Sequence, residues 1–281
     1  MIRKILQAIL FTGVLVYGYF FLSGSDLQPE FVGAGLIGLF GLIALLLETV
    51  IVNRKRLWLT IYSKWLGLRG QRIRFSMAYL YRIKVDDKYL LVKNNNFPHY
   101  QLVGGKYKVL EGTRSFLQNQ FDAIDDPKLP NKDLMKDDFA LFIPAGKAIN
   151  FLDWFNKGED REISHWREFY EELIEGKAKL LNKEKFPYVN YNFKGRITTP
   201  IKRTPGWDCY EILQYDILDI IPTPEQRQEL KKLQEKGDTK YYKWADAELI
   251  QCLGHDNRTK TQEYDIGIHT KWAVNMKWSK E

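Results

Sequence analysis

The chain holds only two cysteines in 281 residues, Cys209 and Cys252, far apart and in no CxxC pair. That excludes a cysteine zinc site and a disulfide framework, and a reduced cytoplasmic setting is the expectation for the soluble part. Internal repeats and low-complexity tracts are absent, so no repeat architecture is indicated. The first apolar run lacks a small-x-small cleavage site and is followed at once by a second apolar run, which argues against a signal peptide. Basic residues are missing from the connector between the two runs, Ser23–Glu30. The net charge of +7 is moderate, and the flanks of the apolar runs supply part of it. A nucleic-acid partner therefore does not follow, and DNA is not an expected partner.

The long apolar runs are Ile5–Leu22 and Phe31–Leu47, the second continuing to Val52 across Glu48. About 20 residues are needed to cross a hydrocarbon core, so each is long enough to span it. Arg3 and Lys4 precede the pair, and Arg54, Lys55 and Arg56 follow it. The positive-inside rule then places both termini in the cytoplasm, giving a two-pass hairpin over residues 1–52 in an inner membrane. Gly33, Ala34, Gly35, Gly38 and Gly41 line the second run, a spacing that permits close helix approach. Packing within the hairpin and packing between protomers fit that spacing equally. In residues 53–74, Trp58, Ile61, Tyr62 and Trp65 recur at helical spacing among Arg54, Lys55, Arg56, Lys64, Arg69, Arg72 and Arg74. Aromatic and basic residues so mixed, directly after a span, read as a linker lying on an anionic bilayer.

The remainder, 75–281, reads as an α/β domain, an α+β sandwich of mixed sheet and helices. Strands are expected at Phe75–Val85, Tyr89–Lys93, Phe139–Pro144, Tyr188–Thr198, Tyr210–Ile221 and Ile266–Val274, the last closing the fold. Helices are expected at Ile149–Phe155, at Pro224–Lys236 and as a short turn at Ala245–Ile250. The most informative stretch runs from Gly158 to Leu173. With Ser164 as helix cap, Trp166, Phe169, Tyr170 and Leu173 form one apolar stripe, and Glu168, Glu171 and Glu172 share a neighbouring face. Two readings fit those acids. One is a solvated acidic face with Arg167 paired to Glu171; the other is a site for a hard divalent cation such as Mg²⁺, which relieves the mutual repulsion.

The order Glu159-x7-Arg167-Glu168-Phe169-x-Glu171-Glu172 resembles the distal part of the Nudix box. Gly104-Gly105, at the end of Tyr100-Gln101-Leu102-Val103, is similar to the strand end that leads into that box, with Val103 in place of proline. Residues 106–157 then form an insertion between the two halves. The family's closing glycine would fall at Ile174, and the nearest glycine is Gly176. The resemblance implies that Glu168, Glu171 and Glu172 bind Mg²⁺, that Glu171 and Glu172 serve catalysis if the protein hydrolyses substrate, and that Glu159 and Arg167 form an orienting ion pair.

A two-helix hairpin followed by such a domain resembles the SMODS-associated NUDIX effectors of bacterial CBASS antiviral systems. That implies a domain that senses a cyclic nucleotide made by a partner nucleotidyltransferase (CD-NTase). Ligand then drives homo-oligomerisation of the hairpins in the lipid bilayer, membrane disruption and abortive infection. Candidate ligand contacts are Gly104, Gly105, Arg196, Arg203, Trp207 and His269. A membrane-tethered, Mg²⁺-dependent hydrolase of nucleoside diphosphate derivatives is the alternative, and a scaffold with a degenerate site is a third reading.

Overall fold

The computed structural model describes residues 2–94, 97–110, 112–127, 138–158, 162, 164–203 and 208–280, with side chains from residue 7 onward. The chain divides into two compact units, 1–61 and 62–281.

In the first unit, helices α1 (Ile2–Phe20) and α2 (Gln28–Val52) form an antiparallel pair. The pairing depends on Gly18 of α1, where a Cβ would sit 2.8 Å from Phe31 Cβ, and on two glycines of α2. A Cβ on Gly35 would sit 2.7 Å from Leu15 Cβ, and one on Gly38 would sit 2.2 Å from the Phe11 ring. Gly33 and Gly41 meet nothing within 4 Å. The small-residue series therefore serves the hairpin at Gly35 and Gly38 and is open at the other two. Helix α2, with 25 residues and a mean hydropathy of 2.4 in its best window, is long and apolar enough to cross a membrane. In α1 the apolar stretch described is the shorter Gln7–Phe20. Helix α3 (Arg54–Leu68) begins in this unit and ends in the second.

The second unit is organised around β1 (Arg72–Arg82). This strand is buried on both faces; Ile73, Phe75, Met77, Tyr79 and Tyr81 form one face, and Arg74, Ser76, Ala78 and Leu80 lie on the other. One edge of β1 pairs in parallel with β9 (Tyr210–Ile221), from Ile73 opposite Tyr210 to Arg82 opposite Asp219. The other edge is shared. Its first half pairs with β6 (Ala140–Pro144) and its second half with β4 (Tyr100–Lys106), both antiparallel. The split falls at Met77, whose N–H donates to Phe139 and whose carbonyl accepts from Tyr107, each at 3.0 Å. Beyond β4 lie β3 (Lys88–Lys93), its partner β2 (Lys84–Val85) and β10 (Tyr242–Asp246); beyond β6 lies β5 (Ile124–Asp125). The outer edge of β9 carries β7 (Asn190–Thr198) and β8 (Lys202–Arg203). A small ribbon, β11 (His255–Asp256) and β12 (Thr261–Gln262), stands apart from this sheet.

Residues 106–157 are thus woven into the sheet. Between β4 and β6 they add helix α4 (Thr113–Phe121) and, after β6, helix α5 (Ala148–Lys157). Helix α5 buries Phe151, Leu152, Trp154 and Phe155, and Phe151 meets Phe75 of β1 edge-on at 4.7 Å. Helix α7 (Pro224–Glu235) starts with a capping box between Thr223 and Gln226 and a proline in its first turn.

Two sequence expectations are corrected. Arg72 and Arg74 belong to β1, not to a lipid-facing linker: Arg74 is buried, 2.6 Å from Asp126 and 3.1 Å from Glu211, with Lys202 3.1 Å from the same Glu211. The closing segment is helix α9 (Ile268–Asn275), not a strand. Only Ile266 bridges to Tyr100; extended Gly267 then opens the helix, and Thr270, Trp272 and Ala273 become its buried side. In Ile266–Val274 the apolar spacing satisfies both periods, and packing beside α8 (Ala247–Gln251) selects the helical one.

Candidate functional site

Helix α6 (Trp166–Phe169) opens the acidic stretch. Its cap is His165 rather than Ser164; no side chain caps the helix, and Trp166 N–H reaches Ser164 Oγ at 3.4 Å. After Phe169 the backbone widens into a π-helical turn, Tyr170–Ile174. Such turns insert one residue and rotate the positions after it relative to a plain α-helix. The acids therefore do not keep the i, i+3, i+4 face that regular helical spacing gives. Phe169 and Leu173 are buried, and Trp166 stacks on Phe169 at 5.5 Å, so the apolar stripe forms. Ile174, where the glycine was expected, is buried too. Gly176 makes the close approach: a Cβ there would lie 2.3 Å from the Glu172 carbonyl oxygen.

The turn packs its carboxylates against the end of β4. Gly104 N–H donates to Glu172 Oε2 at 2.9 Å. A Cβ on Gly105 would fall 2.2 Å from the Glu168 carboxyl carbon. Glu172 thus takes a backbone donor that any residue but proline supplies, whereas Glu168 occupies the space a side chain at 105 would fill. At Gly104 the φ of +149° favours glycine, and a Cβ would strike Tyr79 O at 2.1 Å.

Arg167 is the hub of the charges. It donates to Glu168 at 2.6 Å, to Glu162 at 3.2 Å, to Glu171 at 3.3 Å and to the Lys106 carbonyl at 2.8 Å. Glu159, the expected partner of Arg167, lies outside the described residues, as does Trp207. Glu162 extends the cluster by accepting from Lys108 N–H at 2.7 Å. Asp138, where the insertion returns, holds Lys108 at 2.7 Å and Lys106 at 3.4 Å. Burial raises the Glu168 carboxyl above its ordinary pKa, against the pull of Arg167. Burial and the neighbouring Glu168 push Glu172 up to about 8, although Gly104 N–H works the other way.

The donor chemistry fits a hard divalent cation: Glu168 and Glu172 are partly desolvated carboxylates that repel each other, and Glu171 is on the same turn. Among the described residues, no three His, Cys, Asp or Glu side chains converge on one point. Glu171 is the outlying member, with its side chain 47% exposed.

A hydroxyl and imidazole chain runs behind the helix. Tyr79 is fully buried, its hydroxyl without a hydrogen-bond partner among the described residues, and burial together with the charge of Glu168 raises its pKa. Tyr107 donates to Asp216 at 2.6 Å and lies 2.8 Å from His165 Nε2, while Tyr191 reaches His165 Nδ1 at 2.9 Å. Tyr81 donates to the His165 carbonyl at 2.8 Å. Arg196 is committed to this chain, bonding Asp216 with two nitrogens and Asn156 at 2.7 Å.

The remaining candidates are elsewhere. Successive strand residues face opposite sides, so Tyr215 lies across the sheet from Asp216. His269 stacks on Tyr215 at 5.8 Å and approaches His99 and Gln101, which places it on the far face from α6. Burial and His99 depress its pKa to about 4. Arg203 lies over the Tyr210 ring at 5.0 Å, six residues from Asp216, or about 20 Å along β9. A cleft of about 510 Å³ lined by Lys64, Gln71, Arg72 and Gly146 includes none of the box acids. The structure therefore joins Gly104, Gly105, Arg167, Glu168 and Glu172, and separates His269 and Arg203 from them. Sequence reasoning missed Glu162, Tyr79, Tyr107, His165 and Asp216. The nearest signal was Glu162 and His165 falling inside the stretch already singled out.

The model of the SMODS-associated NUDIX domain matches residues 72–274, covering the sheet, both halves of the box and α9. No curated protein matches the chain.

Proposed function

Because the chain belongs to the SMODS-associated NUDIX family, we propose that it is a membrane effector of a CBASS-type antiphage system, gated by a cyclic nucleotide. In this reading a partner nucleotidyltransferase makes the ligand, and the domain formed by 72–274 senses it. Helices α1 and α2 form a two-pass anchor in the inner membrane, with both termini cytoplasmic. Ligand drives homo-oligomerisation through those helices and loss of the permeability barrier. The observation that carries the reading is the presence, on one chain, of a 25-residue apolar helix and of the cluster in which Gly104 N–H and Arg167 hold the box acids. Backbone N–H groups and a guanidinium are the groups that bind phosphate oxygens. Gly33 and Gly41, open in the hairpin, are the positions left for contact between protomers.

The test is dye uptake by cells that express the full chain with an inducible cyclic-nucleotide synthase. Uptake that rises only when the messenger is made supports gating; equal uptake with and without it overturns gating.

A second reading is favoured by one specific feature, the adjacent carboxylates Glu168 and Glu172 beside a glycine strand end. It makes the protein a membrane-tethered, Mg²⁺-dependent hydrolase of nucleoside diphosphate derivatives. Glu168 and Glu172 would hold the ion, with Glu171 as third ligand, and the ion would neutralise diphosphate charge. Arg167 orients Glu168, and Gly104 N–H orients Glu172. Glu172→Gln should then abolish turnover of a nucleoside diphosphate derivative in Mg²⁺; absence of turnover by the unaltered chain across a broad panel would eliminate this reading.

A further inference from the structure

The outer edge of β7 is open. Over Asn190–Lys194, of which Asn190–Phe193 pair with β9 and Lys194 lies at the bulge, the other side of the strand meets no strand among the described residues. All five residues are exposed. Two carry aromatic rings, with Tyr191 at 37% and Phe193 at 57% of full exposure. The run is bounded by a register shift between Phe193 and Gly195. Soluble proteins normally blunt such an edge, because its unpaired N–H and C=O groups template another strand. The one blunting charge in this run is Lys194.

The run is self-complementary in one register. Place a two-fold axis through Asn192 and pair the strand antiparallel with itself. Asn192 then opposes Asn192 of the partner subunit. Tyr191 opposes Phe193 of the partner subunit, and the symmetric pair forms as well. Lys194 falls opposite Asn190 of the partner subunit, so the two lysines never face each other. Aromatic cross-strand pairs stabilise an antiparallel pairing relative to alanine. Moving the axis to Phe193 pairs Tyr191 with the glycine at the bulge and replaces the two Tyr191–Phe193 pairs by one pairing of Phe193 with Phe193 of the partner subunit. We propose that the cytoplasmic units of two copies of this chain join through the open edge of β7, antiparallel and centred on Asn192.

Five residues of pairing are too few to hold a dimer from dilute solution. Tethering by α2, which rests on the membrane reading above, raises the effective concentration enough for so short an edge to pair. The contact is isologous, as a two-fold demands, and needs no additional surface. It couples the folded domain to the assembly state of the anchors, because β7 also carries Tyr191, which bonds His165 at the start of α6.

The test is cysteine cross-linking of the full chain in membranes, in a background with Cys209 and Cys252 replaced by serine. Asn192→Cys should form a disulfide-linked dimer under mild oxidation. Lys194→Cys alone should form little, yet should cross-link when co-expressed with Asn190→Cys. Adding Phe193→Asp to Asn192→Cys should lower the dimer by at least about fivefold. These positions are exposed, so unchanged melting of each variant checks the fold. The proposal is overturned if Asn192→Cys dimerises no more than Glu225→Cys on α7, or if Lys194→Cys cross-links to itself as strongly as Asn192→Cys. Both readouts are independent of ligand, so gating and edge pairing fail or survive separately.

Discussion

On one face of β1 and β9, Tyr79, Tyr81 and Asp216 meet His165, Tyr107 and Arg196; on the other, Leu80, Tyr215 and Ile217 meet Trp272 and Ala273 of α9. The same two strands build both. The first face is a network of hydroxyls, imidazole and charge that ends at the box acids. The second is a hydrocarbon layer with one buried ionic knot at its end, Arg74 with Asp126, Glu211 and Lys202. The difference separates site from scaffold. Polar groups on the box face run from Asp216 through Tyr107 and His165 toward the acids beside Gly104-Gly105, whereas those of the knot pin residues of the insertion to the sheet.

The largest expected effect breaks the scaffold face. Arg74→Met removes the guanidinium shared by the buried Asp126 and Glu211, leaving Lys202 beside Glu211, and should destabilise the domain by about 3–5 kcal/mol, read as a fall in the denaturation midpoint. Next comes a paired test at the strand end. Gly104→Ala drives a Cβ into the Tyr79 carbonyl at an unfavourable φ and should cost about 1–3 kcal/mol of stability. Gly105→Ala meets only the Glu168 side chain, which can move, so melting should change little while ligand binding suffers. Equal destabilisation by the two would contradict the division of roles between them. Tyr107→Phe removes the hydroxyl shared by Asp216 and His165 and should cost about 1–2 kcal/mol in denaturant unfolding.

A separate effect is in pH. His269 has a depressed pKa of about 4 against an ordinary 6.5, so between those values the unfolded chain binds the extra proton. Stability from this group is complete above pH 6.5 and is lost as the pH falls toward 4. His269→Gln should flatten the melting profile across that window relative to the unaltered chain, and an unchanged slope would refute the assignment.

Much of the sheet was legible because its strands announce themselves by period and punctuation. Tyr210–Ile221 is a strand over the whole expected range. The box acids and Gly104-Gly105 were legible by spacing, and the fold brings Glu168 and Glu172 to that glycine pair. Other features depend on contacts that no local pattern encodes. Arg74 reads like its basic neighbours until β5 and β9 bring Asp126 and Glu211 to it. Ile266–Val274 satisfies two periods, and only packing against α8 and the sheet decides between them. The division of the ligand candidates between faces required the register of β9, since adjacent residues Tyr215 and Asp216 point to opposite sides. Glu162 escaped notice because the motif assigned its role to Glu159, three positions earlier.

The central claim is that the ligand site lies on the box face at Gly104-Gly105. Its most direct measurement is equilibrium binding of a panel of cyclic di- and trinucleotides to the detergent-solubilised full chain, alongside Gly105→Ala and His269→Ala. A ligand that binds the unaltered chain should bind Gly105→Ala at least about tenfold more weakly, a loss of roughly 1.4 kcal/mol. It should bind His269→Ala unchanged. Weakening by His269→Ala with Gly105→Ala unaffected would place the ligand on the opposite face and contradict the account.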